Sequence, residues 1–458
     1  MLSFRGISRR LASLRPQSIV QAFRVLIAYV PAALAALALV WQVGTELFDS
    51  SLAVEPISVP SSLDGRGYTP AVVAQKLSDA VGTIMSQATT RMKRERVAVG
   101  SVDPDALIPA SNSQFAAFVS SALHFFHLSS RTYVSGEITE MNGRYSLTLR
   151  MGGHMSASRT AGPAGNPDIL FAAAAREIIW RTQPFVLASA DYAAKNPSKA
   201  KDEADAIIAT YPENDPNVAL AHNLKGNIHL DENQRTAAES EYREAMRLAP
   251  KLGTPHYNLG NLYLDEGKNE KAIEEYNTAL AIEPDFALPH LGLGNAFSAR
   301  KRTDDAIDQF RLAIALDPRA AYAHSGLGQA LIAHRDPAQG LKELQIAVSL
   351  SPSDPVLHYE LANALKARKD WDGAMSEYRA AIALAPNQAY THFWLADAIV
   401  YKIQNSPNLD EASLVKLAGE VCDEASAAAR LQQSSQYYAT RAQIACSFDK
   451  PDATPAKR

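Results

Sequence analysis

The sequence predicts a mainly α-helical protein: a C-terminal α-solenoid of about six to seven helix pairs, preceded by a small α+β domain and one N-terminal transmembrane helix. Three observations predict it. Six histidines, His222, His256, His290, His324, His358 and His392, each stand 34 residues after the last, which is the period of a helix–turn–helix repeat. Residues 47–182 show no repeat but carry a hairpin signal at Asn142-Gly143. Val25–Thr45 runs for 21 residues without a formal charge.

In register with the histidines, a small residue comes four places later: Gly226, Gly260, Gly294, Gly328, Ala362 and Ala396. A larger one follows three further on: His229, Tyr263, Phe297, Leu331, Leu365 and Ile399. The first five blocks carry a second set of marks. A small residue (Ala238, Ala272, Ala306, Gly340, Ala374) precedes an aromatic or leucine (Tyr242, Tyr276, Phe310, Leu344, Tyr378). Alanine (Ala245, Ala279, Ala313, Ala347, Ala381) and proline (Pro250, Pro284, Pro318, Pro352, Pro386) complete it. Steps of four and three place each set on one stripe of a helix. The proline, with its fixed φ and missing N–H, ends the second helix. Small, aromatic, alanine and proline marks in this order resemble the tetratricopeptide repeat. Five full copies cover about 219–388, a sixth starts at 389, and an irregular copy at about 184–218 has Ala204 and Pro216 in phase. The resemblance is specific for fold and weak for function.

Composition fits a folded chain, with 47% hydrophobic and 21% charged residues. Residues 1–24 hold five arginines (Arg5, Arg9, Arg10, Arg15, Arg24) and no acid. The rest therefore has 40 of the 45 basic side chains against all 49 acidic ones, a balance of −9. That balance argues against phosphate-backbone binding, so no nucleic-acid partner is expected. At 1.5 Å per residue, 25–45 is long enough to cross a hydrocarbon layer of ~30 Å. Tyr29 and Trp41 lie toward its ends, and the arginine tail orients 1–24 to the cytoplasm. A signal peptide cleaved at Ser51-Leu52-Ala53 and a mitochondrial presequence are the alternatives. The preferred reading is a single-pass inner-membrane anchor with the bulk of the chain in the periplasm.

In 47–182 the expected order is β-α-β-α-β-β-α. Leu52–Val59 reads as a strand, Pro70–Arg91 as a helix, Val97–Val99 as a short strand and Gln114–Phe126 as a helix. Tyr133–Ile138 and Tyr145–Met151 form a hairpin about Asn142-Gly143, where both residues tolerate φ > 0. A helix over Pro167–Arg181 closes the domain, and the stretches 60–69 and 152–166 read as loops. Together these give helices on one face of a sheet. His124, His127 and His154 could suggest zinc, since residues three apart share a helix face. No Cys, Asp or Glu accompanies the helical pair, so no metal site is expected.

The repeat histidines are no metal site either. Equivalent places in successive repeats lie about 8–10 Å apart, too far for one zinc ion; the series marks packing register. The resemblance points instead to the neighbouring stripe, which lines the concave groove in such arrays. It carries Asn223, Tyr257, Leu291, Ser325, Tyr359 and Phe393, then Asn227, Asn261, Asn295, Gln329, Asn363 and Asp397. A row of amides flanked by aromatics can pair with the C=O and N–H of an extended peptide. Only Lys366 is basic among the lining places, which argues against the carboxylate clamp of chaperone-binding arrays.

Register holds from 222 to 392 without an insertion, so no grafted loop supplies a catalytic site. There is no G-x-x-x-x-G-K-[ST], G-x-S-x-G, H-E-x-x-H or paired-cysteine motif. No catalytic residue, cofactor or enzymatic activity is therefore expected. Asp410–Leu431 and Ser434–Phe448 read as antiparallel helices turning near Gln433. Cys422 and Cys446 lie 11 and 13 residues on either side of that turn, which allows a disulfide or two separate buried thiols. The expected organisation is a basic tail (1–24), transmembrane helix (25–45), α+β domain (47–182), array (184–431), capping helix (432–448) and disordered tail (449–458). The function expected is binding or scaffolding of protein or peptide partners in envelope complex assembly, with the lipid bilayer contacted by the N-terminal helix. The alternative is that 47–182 is a sensor or small enzyme whose substrate the array recruits.

Overall fold

The computed structural model describes residues 52–88, 97–99, 132–141, 144–151, 158–161, 167–432 and 435–447. The chain folds as two compact units that divide between Tyr211 and Pro212. Expectations for 1–45, Gln114–Phe126, His124, His127, His154, Asn142-Gly143 and 449–458 lie outside the described residues. Among the described residues no helix is long and apolar enough to cross a membrane.

Among the described residues the first unit holds a five-stranded mixed sheet in the order β2-β1-β3-β4-β5. The strands are β1 (Leu52–Val54), β2 (Val97–Val99), β3 (Thr132–Met141), β4 (Arg144–Met151) and β5 (Ser158–Ala161). Strand β1 runs parallel to β2 and β3, while β3–β4 and β4–β5 are antiparallel. The expected strand over 52–59 is shorter because Pro56 has no N–H to add to the ladder. Pairing resumes at Ser58, which bridges to β3. The hairpin pairs Met141 with Arg144, as its sequence signal implies. Strand β5 falls inside a stretch read as loop, since Ser-Arg-Thr-Ala offers no apolar alternation. In the other expected loop, Ser61–Asp64 forms a turn of helix, α1, and buries Leu63.

Helices α2 (Pro70–Gln87) and α3 (Asp168–Thr182) cover the sheet. The Thr69 hydroxyl caps α2 by accepting from the Val72 N–H, and Pro70 occupies the first turn, where its missing donor costs nothing. Val73, Leu77, Val81 and Met85 of α2 pack with Val54, Ile57, Val134, Ile138, Leu147 and Leu149 of the sheet. Along β4 burial alternates: Tyr145, Leu147, Leu149 and Met151 point into this core, whereas Arg144 and Arg150 are exposed. Among the described residues, α2 and α3 therefore cover one face of the sheet.

Helices α4 (Pro184–Ala193) and α5 (Pro197–Thr210) stand where the sequence places the opening of the repeat array. They do form a helix pair, but Val186, Leu187 and Ala190 join the core beneath the sheet, and the pair lies on the first-unit side of the division at 211. The reason is local: Pro184 to Asp191 are all buried, so α4 has no solvent face of the kind a repeat helix keeps.

This junction holds a compact charge cluster. Arg176 on α3 donates to Asp191 on α4 at 2.6 Å and also to Glu203 on α5. Lys199 adds a second cation beside Asp191 at 3.4 Å. Two carboxylates share one guanidinium, and the better-supplied Asp191 keeps its charge: although burial opposes this, Arg176 and Glu203 hold its pKa down. Glu203 takes the opposite course. Burial first, then the neighbouring Asp191, pushes it up to about 7, and its Oε2 has no hydrogen-bond partner among the described residues. A carboxyl that binds its proton more tightly when folded makes stability fall as pH rises between the two pKa values. Stability should therefore decline between pH 4.5 and about 7, and Glu203→Gln should flatten that decline. Urea-unfolding midpoints across the window check this; identical pH profiles for the two proteins would refute it.

Among the described residues the second unit is six helix pairs: α6 (Pro216–Asp231) with α7 (Arg235–Leu248), α8 (Gly253–Asp265) with α9 (Asn269–Ile282), α10 (Ala287–Ala299) with α11 (Thr303–Leu316), α12 (Ala321–Ala333) with α13 (Pro337–Leu350), α14 (Pro355–Ala367) with α15 (Trp371–Leu384), and α16 (Ala389–Asn405) with α17 (Glu411–Leu431). A last helix, α18 (Gln436–Ser447), follows. Within each of the first five pairs the turn is closed by a left-handed residue: Asn233, Gly267, Lys301, Arg335 or Lys369. Around Lys301, for example, its N–H reaches the Ser298 carbonyl while the Arg302 N–H reaches Phe297. That pair of bonds is a Schellman motif, which satisfies carbonyls left over at the helix end.

Aromatic side chains set the spacing of the stack. Tyr276, fully buried on α9, lies between Gly260 on α8 and Gly292 on α10. A Cβ at Gly260 would stand 2.6 Å from its ring, and one at Gly292 2.5 Å. Phe310 is held in the same way between Gly294 and Gly326. Gly292→Ala should therefore overpack the stack and cost about 1–3 kcal/mol. Thermal or urea unfolding of the full chain measures it, and an unchanged midpoint would show that the ring can withdraw.

Candidate partner-binding groove

Each repeat histidine does more than keep register. Its Nδ1 meets a side-chain oxygen on the second helix of its own pair: His222–Glu241 at 2.6 Å, His256–Glu275 at 2.7 Å, His290–Gln309 at 2.8 Å, His324–Glu343 at 2.7 Å and His358–Glu377 at 2.6 Å. In the last three blocks Nε2 also faces the carbonyl of the preceding proline. His324 lies 3.3 Å from Pro318 O, His358 3.0 Å from Pro352 O and His392 2.9 Å from Pro386 O. One ring thus ties both helices of a pair to the loop before them. At Glu241, burial pushes the carboxyl up, but the bonds from His222 and Lys225 hold it below its ordinary range.

The sixth pair tests how general the tie is. Helices α16 and α17 have 17 and 21 residues, against 13 and 14 for α14 and α15. His392 nevertheless finds Glu424 at 2.5 Å, 32 residues away instead of 19, so 13 extra residues are absorbed without losing it. Among the described residues no group of three or more His, Cys, Asp or Glu is placed to hold a metal ion. Replacing His358 with Phe should remove the ring that bridges Glu377 and the Pro352 carbonyl and cost about 1–3 kcal/mol. In a double-mutant cycle with Glu377→Met, urea titration should show coupling between the two sites; strict additivity would mean that the pair contributes nothing.

The neighbouring stripe divides into three kinds of place. Asn227, Asn261 and Asn363 accept hydrogen bonds through Oδ1 from Tyr242 (2.7 Å), Tyr276 (2.7 Å) and Tyr378 (2.5 Å) on the second helix of the same pair. With the carbonyl so engaged, the amide N–H groups are what Asn227 and Asn363 can offer a ligand; Asn261 is bonded to the Tyr257 hydroxyl as well. The packing tyrosines thereby orient the row, a link that sequence reading missed although aromatic and amide stand 15 residues apart in all three repeats. Asn295 and Gln329 stand opposite Phe310 and Leu344, which have no hydroxyl to give, and both are exposed.

The remaining places are committed internally. Asn223 is buried and accepts from Asn258 Nδ2 at 2.9 Å. Tyr257 lies against Tyr276 and Phe286, with ring centroids 6.0 and 5.5 Å away, and burial pushes its hydroxyl pKa up. Tyr359 meets Tyr390 edge-on at 4.9 Å. Phe393 is flanked by Tyr437 and Tyr438 of α18, 5.4 and 5.5 Å away. Asp397 pairs with Lys366 at 3.1 Å, and that ammonium sits 3.6 Å from the centre of the Trp394 ring. Lys366, the single groove lysine expected from sequence, is thus already neutralised. Cys422 and Cys446 are joined as a disulfide, with Cα atoms 4.7 Å apart, pinning α18 to α17.

Where α10 and α12 adjoin, the stripe opens into a cavity of 410 Å³ lined in part by Leu291, Asn295, Phe310, Ser325, Gln329 and Glu360. Four of these six were expected groove places. Glu360 was not, yet the repeat register isolates it: two residues after each histidine the other blocks have Leu224, Asn258, Gly292, Gly326 and Trp394. Tyr322, also at the cavity, was missed as well; its hydroxyl donates to Asp354 at 2.5 Å, which pushes its pKa up to about 12.

Comparison with known families agrees with this architecture. A TPR repeat model matches residues 260–299 and 294–334, and two tetratricopeptide repeat models match 325–389 and 219–252. This part of the chain belongs to the tetratricopeptide-repeat family. Such repeats generally mediate protein–protein interaction and scaffolding. Curated proteins gave no match. Among solved structures, the APC/C hetero-tetramer Cut9–Hcn1 is similar at 16% identity and TM-score 0.49, over 60% of this chain and about half (52%) of that one. The Pseudomonas aeruginosa pilF structure matches at 18% identity and TM-score 0.41, over 54% of this chain and 99% of that one. A thermophilic TPR protein of Thermus thermophilus matches at 20% identity and TM-score 0.37, over 40% of this chain and 99% of that one.

Proposed function

We propose that this protein binds extended segments of partner proteins along the amide row of its tetratricopeptide repeats and serves as a membrane-tethered scaffold in cell-envelope complex assembly. The observation that carries the reading is the tyrosine-oriented row of Asn227, Asn261 and Asn363, continued by the exposed Asn295 and Gln329. Evenly spaced amide N–H groups suit backbone carbonyls, which every polypeptide offers in an extended segment. Tethering is supported by the uncharged run 25–45 behind five arginines. A compartment outside the cytoplasm is supported by the Cys422–Cys446 disulfide, because such bonds persist in oxidising surroundings.

The test exploits the two kinds of amide. Asn295→Ala with Gln329→Ala removes exposed groups that no tyrosine depends on. Asn227 and Asn363 to Ala, combined with Tyr242 and Tyr378 to Phe, removes two oriented amides together with the hydroxyls that hold them; Asn261, which also bonds to Tyr257, is left in place. Crosslinking in native membranes, followed by identification of the captured proteins, should show the same partners lost from both sets. Undiminished capture by both folded variants would sink the groove reading.

A further inference from the structure

The cavity beside α10 and α12 carries an electrostatic imbalance. Its walls are apolar at Leu291, Phe310 and Ala330, and its mouth is amide at Asn295 and Gln329. Glu360 is the one carboxylate among the lining residues, and no lysine, arginine or histidine is among them. A second carboxylate, Asp354, stands behind the mouth, bonded to Tyr322. Glu360 accepts from the Ser325 hydroxyl, but a neutral donor does not balance a charge. Burial pushes its carboxyl pKa up, and Asp354 adds to that; the bonds from Ser325 and Gln329 offset it only in part.

A purely structural role does not require this charge. Asn258 occupies the equivalent place in the second repeat and makes the equivalent tie, to Asn223 of the first, with a neutral amide. Glu360 bonds to Ser325 across the same step of 35 residues. The tie is thus available to an uncharged side chain, and the carboxylate beside an open cavity is what remains to be explained. A cation from outside would restore the balance, and an aliphatic stem would fill the apolar part of the space.

We propose that this cavity receives a basic side chain, arginine or lysine, from the partner segment that lies along the amide row, with Glu360 as its counter-ion. The proposal rests on the groove reading for the segment that delivers the side chain. It also commits the partner to positive charge at one position, matching the −9 balance of residues 25–458.

The test uses the full chain and three small probes: the Nα-acetyl N-methylamides of arginine, lysine and norleucine, titrated by ligand-observed NMR. Arginine or lysine amide should bind at least about tenfold more tightly than norleucine amide, and their ratio tells which cation is preferred. Glu360→Gln, isosteric and able to keep the Ser325 bond, should bring the basic amides down to the norleucine level. Gln329→Trp, at an exposed position, should fill the cavity and abolish all binding. A Glu360→Gln protein of unchanged melting midpoint that still prefers the basic amides overturns the proposal. So does the absence of any basic preference in the wild-type chain, while the crosslinking result then stands or falls separately. Basic preference that needs Glu360, together with capture indifferent to the amide row, would support the cavity and refute the groove.

Discussion

The stack depends on one steric arrangement: a flat ring on the second helix of a repeat, sandwiched between glycines on the first helix of its own repeat and of the next. Tyr276 between Gly260 and Gly292, and Phe310 between Gly294 and Gly326, are the full cases. Close-packed interiors leave little room for adjustment, so ring and glycine fix interhelical distance together. Both the regularity of the array and its opening follow from this. At Gly326 the first-helix stripe must surrender its side chain to the ring beneath, and the 410 Å³ cavity opens beside it.

Hydrogen bonds then add specificity to a geometry that packing has set. The histidine–carboxylate tie joins the two helices of a pair, and the proline carbonyl brings the connecting loop into the same bond set. That His392 keeps a carboxylate partner across a lengthened sixth pair shows that the tie depends on where the second helix passes, not on sequence distance. Tyrosines belong to both layers. The ring packs, and the hydroxyl orients an asparagine of the neighbouring stripe, so the residues that build the core also set the chemistry of the surface. Where Phe310 or Leu344 takes that place no hydroxyl engages the amide: Asn295 and Gln329 are exposed at the cavity, and Gln329 turns to Glu360 instead.

The first unit is built on a different principle. A covered sheet face needs helices that are apolar along one side, and α2 and α3 supply them; α4, buried nearly all round, joins the same core. The cost of joining three helices there shows in the shared guanidinium of Arg176, which leaves Glu203 undercompensated. Stability of this unit is thereby linked to pH near neutrality.

How much the sequence determined by itself follows from the range of the interactions concerned. Period, helix boundaries, the Asn-Gly hairpin and the proline stops are local preferences repeated or amplified, so they were legible residue by residue. The amide row was legible as a stripe, because helical spacing is a property of one helix. Only the tertiary structure decided that Asn223 is buried while Gln329 is open, that Asp397 and Lys366 cancel, and that tyrosines engage three of the amide carbonyls. It alone joined Cys422 to Cys446 and placed Glu360 beside the cavity. It also set the helix pair 184–210 on the first-unit side of the division at 211. These outcomes depend on which side chains from separate helices share one volume, and burial and pairing across such distances are fixed only when the helices pack.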